Sequence, residues 1–183
     1  DWLGWRADGD GGWRVRPPGE VAITPGQRAT RWYFLVVGLL FLLQTLVGGL
    51  NAHYRAEPGG FYGIDLSAYI PYMVSRTWHV QLALFFVAAA YLATGIFITP
   101  FIAGREPRGQ ATLAYLLLGA VAVVVFGSLL GEAAGMHGRL PGELWYWIGA
   151  QGWEYLDLGR LWQLLLVGGL FIWAGILYRG LRG

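Results

Sequence analysis

The 183-residue chain has no cysteine and no lysine, and all 13 of its basic residues are arginine. Without thiols it can form no disulfide, zinc–thiolate centre or cysteine nucleophile. Charge is scarce as well. Asp, Glu, Lys and Arg make up 13% of the residues, about half of the roughly 25% usual in soluble domains, so an ordinary water-soluble fold is excluded. The formal net charge is +2 and the arginines are scattered, which leaves no basic stripe for nucleic acid. Neither a glycine-rich phosphate loop nor a Ser/His/Asp arrangement is evident.

Apolar residues are abundant: 56% of the chain is hydrophobic and 16% aromatic, with a mean hydropathy of +0.47. They are concentrated in four runs, residues 32–50, 78–103, 112–131 and 161–178, with no Asp, Glu, Lys or Arg in their interiors. Each is about as long as a hydrocarbon core requires, and a backbone in lipid satisfies its own hydrogen bonds only as a helix or a closed barrel. The expected fold is all-α: an integral membrane helical bundle of four transmembrane helices joined by interfacial aromatic loops. Residues 1–31 are polar and rich in Gly and Pro and read as an irregular segment at the membrane edge. They lack the order of parts of a secretory signal, and a start at Asp1 without Met points to further residues upstream.

Loops rich in arginine stay in the cytoplasm. Arg6, Arg14, Arg16, Arg28, Arg31, Arg105, Arg108, Arg179 and Arg182 fall on one side, against Arg55, Arg76, Arg139 and Arg160 on the other. Both ends of the chain, including residues 1–31, are therefore expected in the cytoplasm, with loops 51–77 and 132–160 outside. Trp78, Trp145, Trp147, Trp153 and Trp162 would mark the outer interface, where amphipathic rings prefer to lie. The string LWYWIGAQGWEYLDL over residues 144–158 reads either as a segment lying flat in the interface or as a lid over something bound at the helix ends. Residues 59–72 have a similar character. Gly48 with Gly49, Gly127 with Gly131, and Gly168 with Gly169 are expected to allow close helix packing.

Three histidines could carry chemistry, because a neutral imidazole binds a metal without bringing charge into lipid. His79 stands at the start of the second span, in SRTWHVQLALFF, with Leu82, Ala83, Phe86 and Ala90 on its helical face. Small residues there leave a slot for a flat cofactor such as haem; the alternative is an interfacial histidine making one hydrogen bond. His53 and Glu57, in NAHYRAE, are spaced i, i+4 and face the same way if the first helix runs one turn beyond the bilayer. With Phe61 they could hold a quinone head by proton acceptance, hydrogen bonding and stacking, or they could be a surface ion pair at a helix end. Glu154 and Asp157, followed by Arg160, could ligate a hard cation such as calcium or join Arg160 in a structural network. His137, between glycines in a turn, has no chemical role.

Longer strings carry a family resemblance. TPGQRAT, GGLNAHYRAE, FYGIDLSAYIPYMVSRTWHVQLALF, GSLLGE and QGWEYLDLGRLWQ resemble the quinol-dependent nitric oxide reductases of the haem-copper oxidase superfamily, from about Pro18 onward. TWHVQLA and QGWEYLDLGR are the most specific. The resemblance implies a bacterial inner-membrane enzyme that reduces two NO to N2O and water with two electrons and two protons. It implies that His79 is one axial ligand of a low-spin haem b, and that His53, Glu57 and Phe61 surround the quinol. It also places Glu154, and less firmly Asp157, near the haem propionates where calcium can bind. Haem b3 and the non-haem iron need further histidines and an intramembrane glutamate, which the four runs lack. On this reading the chain is an N-terminal portion of a larger catalytic core, and its partners are quinol, the remaining core helices and the lipid bilayer. Two alternatives stand beside it: a membrane module with a structural or assembly role, and an electron-accepting relative that does not reduce NO.

Overall fold

In the computed structural model the described residues are 22–58, 60–150 and 156–182. They form five helices: α1 (Pro25–Ala56), α2 (Tyr72–Ala103), α3 (Gln110–Met136), α4 (Glu143–Ile148) and α5 (Arg160–Leu181). All but α4 are long and apolar enough to cross a membrane, so the protein is a multi-pass membrane bundle. The end of the bundle bearing α4 is called here the α4 end. It gathers the end of α1, the start of α2, the end of α3 and the start of α5.

α1 begins at Pro25, seven residues before the first expected span. The reason is local. Thr24 Oγ1 accepts from Gln27 N (3.2 Å), and Gln27 Oε1 accepts from Thr24 N (3.0 Å), a capping box that satisfies free amides at the helix start. Pro25 fits the first helical position, where its missing N–H costs nothing. Glu106, from the turn between α2 and α3, accepts from Gly26 N at 3.0 Å and from the Thr24 hydroxyl. The polar stretch over residues 25–31 is therefore helix, because cap and tertiary anchor outweigh its composition.

Inside lipid, burying apolar area gives no net drive for helix association, so close fit and interhelical hydrogen bonds must hold the bundle. Both are present. Tyr33 donates to Ala114 O, Trp78 Nε1 to Leu129 O (2.9 Å) and Trp173 Nε1 to Leu92 O (3.2 Å). Gly127, Gly131 and Gly135 line one face of α3 at four-residue spacing. A side chain at Gly127 would overlap the Trp162 ring, one at Gly131 the Ile148 carbonyl, and one at Gly135 the Trp145 ring. This groove seats α4 and the start of α5, and Trp162 Nε1 closes it by donating to Ile148 O at 2.9 Å. Gly49 and Gly168 face open space instead, so their expected packing role is not seen within this chain.

The segment after α3 is a cover and not a flat interfacial strip alone. Leu144 and Trp147 point outward, whereas Gly149, Ala150, Asp157 and Leu158 are buried, Leu158 in one core with Leu82, Phe85 and Leu129. α3 continues five residues past its expected end. That extension corrects the expectation that the spanning helices hold no carboxylate, since Glu132 lies within α3 and is 0% exposed.

Candidate functional site

Two histidines of the α4 end are built by α1 and α2. The first, His53, sits on the last turn of α1, because the helix does continue past the apolar run to Ala56. Its Nε2 lies 2.8 Å from Glu57 Oε2. Glu57 also accepts from Tyr62 N at 2.9 Å and Gly63 N at 3.0 Å. Presenting those two amides needs a tight turn with positive φ, +51° at Tyr62 and +80° at Gly63, pinned by the paired Phe61 and Ile64 backbones. The His53 ring lies 4.6 Å from that of Phe61 and 4.7 Å from that of Tyr62. Structure thus brings the three expected residues together and adds Tyr62 and Gly63, which the sequence does not single out. A glycine pair before an FYG string was the only signal, and it does not fix the turn.

The Gly63 amide, then His53 and the Tyr62 amide, hold the Glu57 carboxyl below its ordinary range. An ionised carboxylate only accepts hydrogen bonds, so the His53 proton resides on Nε2 and leaves Nδ1 as the acceptor. A carboxyl held low in the folded state stabilises it above the ordinary carboxylate range, and that stabilisation is lost as pH falls through the lowered value. Protection of the Tyr62 and Gly63 amides is accordingly expected to persist at neutral pH and to collapse only in acid below that range. Hydrogen exchange followed from pH 7 downward checks this, and Glu57→Gln should remove the protection at every pH.

His79, the second histidine, stands on α2 two turns in and points at α1. Its Nδ1 lies 3.0 Å from the Gln44 carbonyl, which fixes Nδ1 as the donor and leaves the Nε2 lone pair directed away. The Gln44 amide nitrogen lies 3.2 and 3.3 Å from the two ring nitrogens. A side chain at Gly48 would come within 2.6 Å of Cε1. The imidazole therefore occupies the space that Gly48 leaves. This differs from the slot expected on α2 itself, because Phe86 packs edge-on against Phe41 of α1 (5.4 Å) and Leu82 is wholly buried. The donor chemistry fits a ligand to a haem iron: an imidazole oriented by the contact of Nδ1 with a backbone carbonyl. Gly48 and His53 are five residues apart on α1, roughly 7–8 Å of helix rise and about 140° around its axis, so the two histidines meet different faces of α1.

Among the described residues no group of three His, Asp or Glu side chains gathers as a metal site. Glu154 lies outside the described residues. Asp157 is 7% exposed with φ +55°, and its carbonyl lies 3.4 Å from the Gln81 amide. Arg160 donates to Tyr146 Oη (3.0 Å) and Gln163 Oε1 (2.6 Å). His137, at the end of α3, contacts Ala133 O at 2.7 Å. A separate cavity of about 460 Å³ opens between Tyr54, Arg55, Pro58, Ser67 and Tyr72. It does not include His53, Glu57 or Phe61.

The described residues thus form a multi-pass helical bundle with a backbone-oriented histidine and a histidine–carboxylate pair at its α4 end. The family comparison supplies the class: the profile of cytochrome c and quinol oxidase polypeptide I matches residues 28–181. The chain belongs to this family, that of haem-copper oxidase subunit I, and shares its oxidoreductase character. No curated protein matched the chain.

Proposed function

We propose that the chain is part of a quinol-oxidising nitric oxide reductase, in which it binds quinol and supplies one ligand to a low-spin haem b. The observation that carries the quinol half is the His53–Glu57–Phe61 cluster, with both carboxylate oxygens engaged and one imidazole nitrogen left as acceptor. Reading the membrane orientation from the arginines, this cluster faces outward and both ends of the chain lie in the cytoplasm.

The chemistry follows from the atoms present. Hydroquinone must lose two electrons and two protons. His53 Nδ1 accepts a proton from a quinol hydroxyl, and Glu57, bonded to Nε2, stabilises the imidazolium that forms. Phe61 and Tyr62 wall the head group with aromatic surface. His79 Nε2 would hold the haem, with Nδ1 kept on the Gln44 carbonyl so that the ring cannot turn. When bound, that haem would supply a one-electron acceptor for the quinol. The overall balance is hydroquinone plus two NO giving quinone, N2O and water, with NO coupling at iron centres outside these residues.

In the complete complex, His53→Ala is expected to lower quinol-driven turnover about 100-fold, the scale of a lost general base. Turnover with an artificial electron donor should be unchanged. Equal loss with both donors would rule out a quinol-specific role for His53.

A further inference from the structure

Glu132 is the one described carboxylate sealed inside a spanning helix, and neither site above uses it. It is 0% exposed, and neither of its carboxyl oxygens has a hydrogen-bond partner. Thr77 Oγ1 and Gln81 Oε1 are likewise fully buried and unpartnered. Thr77 and Gln81 are i, i+4 on α2 and so share a face, and Trp78, next to Thr77, donates to Leu129 O, which holds this stretch of α2 against the turn of α3 that bears Glu132. Gln81 turns its amide nitrogen to the carbonyls of Leu156 and Asp157, at 3.2 and 3.4 Å. Three polar side chains on α2 and α3 thus gather under the segment that covers the α4 end.

Their chemistry is unbalanced. Three acceptor oxygens, two from the carboxyl group and one from the amide, face only the Thr77 hydroxyl and, when Glu132 is protonated, its own O–H as donors. Buried acceptors left without donors are costly, so the cluster calls for a further donor. No arginine pairs with Glu132 among the described residues. The charged group that acts on it is Asp157, from the segment before α5. Ser128, on its own helix, is spent on Val125 O.

We infer that Glu132, with Thr77 and Gln81, forms a buried proton-carrying site at the α4 end, completed by water as the missing donor. Glu132 takes a proton from water on one side and returns it on the other, so no net bond is made or broken. The redox chemistry of the family consumes protons, and this site would hold one of them apart from His53. The inference rests on the family's redox function and not on the quinol reading.

The test uses the complete complex driven by an artificial donor, so the quinol site is bypassed, with NO or dioxygen as the acceptor, whichever is reduced. Glu132→Gln keeps shape and neutrality, and Glu132→Asp keeps the acid. With Glu132→Gln, proton uptake read by a pH dye should slow at least about tenfold, with an enlarged solvent isotope effect. Haem reduction by the donor should stay at the wild-type rate, and Glu132→Asp should restore most of the uptake. Wild-type proton uptake in Glu132→Gln overturns the proposal. So does a parallel loss of haem reduction that Glu132→Asp does not rescue, which would make Glu132 a packing residue.

Discussion

Replacing His79 by alanine is expected to abolish the low-spin haem b spectrum of the complete complex. No described residue can take its place. His53 is held by Glu57 and two aromatic rings, and His137 lies on its own helix terminus against the Ala133 carbonyl. The loss should be selective, because the ring occupies space left by Gly48 and its removal disturbs only its hydrogen bonds to Gln44, at the carbonyl and the side-chain amide. Free imidazole added to His79→Ala should restore part of the signal by entering the same space. Gly48→Ala provides the complementary case: its methyl would lie 2.6 Å from Cε1, so the ring must shift and the spectrum should broaden or move. A full low-spin signal in His79→Ala would remove His79 from the set of ligands.

The second large effect is expected at Gly131. A methyl group there would come within 1.8 Å of the Ile148 carbonyl oxygen, a backbone atom that cannot rotate away. Gly131→Val should therefore lift α4 from its groove, break the Trp162–Ile148 bond and expose the polar pocket around Glu132. Overpacking of this kind costs about 3 kcal/mol, or roughly 6–12 °C in thermal midpoint for a chain of this size. Tryptophan fluorescence should shift red as Trp145 and Trp162 leave their glycine seats. Gly168→Val meets open space within the chain and serves as the control for helix propensity alone, read in the isolated chain if that remains folded in detergent.

Much of this arrangement is legible in the sequence, for reasons that differ from residue to residue. The four spans show because lipid selects length and apolarity directly. His53 and Glu57 show because an i, i+4 spacing means one thing on a helix, and only the helix's end was open. Tyr62 and Gly63 do not show, since their contribution is two backbone amides, and the turn that aims them depends on positive φ and not on side-chain type. Thr24 and Gln27 carry the spacing of a capping box, yet the surrounding polarity masks it until Glu106 arrives from 80 residues away to anchor Gly26. Glu132 is hidden for the opposite reason. A charge ends a hydropathy run, whereas here tertiary cover from α4 and residues 156–158 extends the buried zone past the apolar one. The face of His79 is also a tertiary matter: α2 alone offers Ala83 and Ala90 as a slot, but packing with α1 makes Gly48 the residue that yields space.

The family fixes a redox membrane protein, and the central proposal adds the donor and acceptor. The most direct test is anaerobic turnover of the complete complex with hydroquinone as sole reductant and NO as sole oxidant, with N2O measured by gas chromatography. The predicted result is one N2O formed for each hydroquinone oxidised, with formation suppressed by Glu57→Ala. Hydroquinone left unoxidised and no N2O formed, while the same complex oxidises hydroquinone once dioxygen replaces NO, would contradict it.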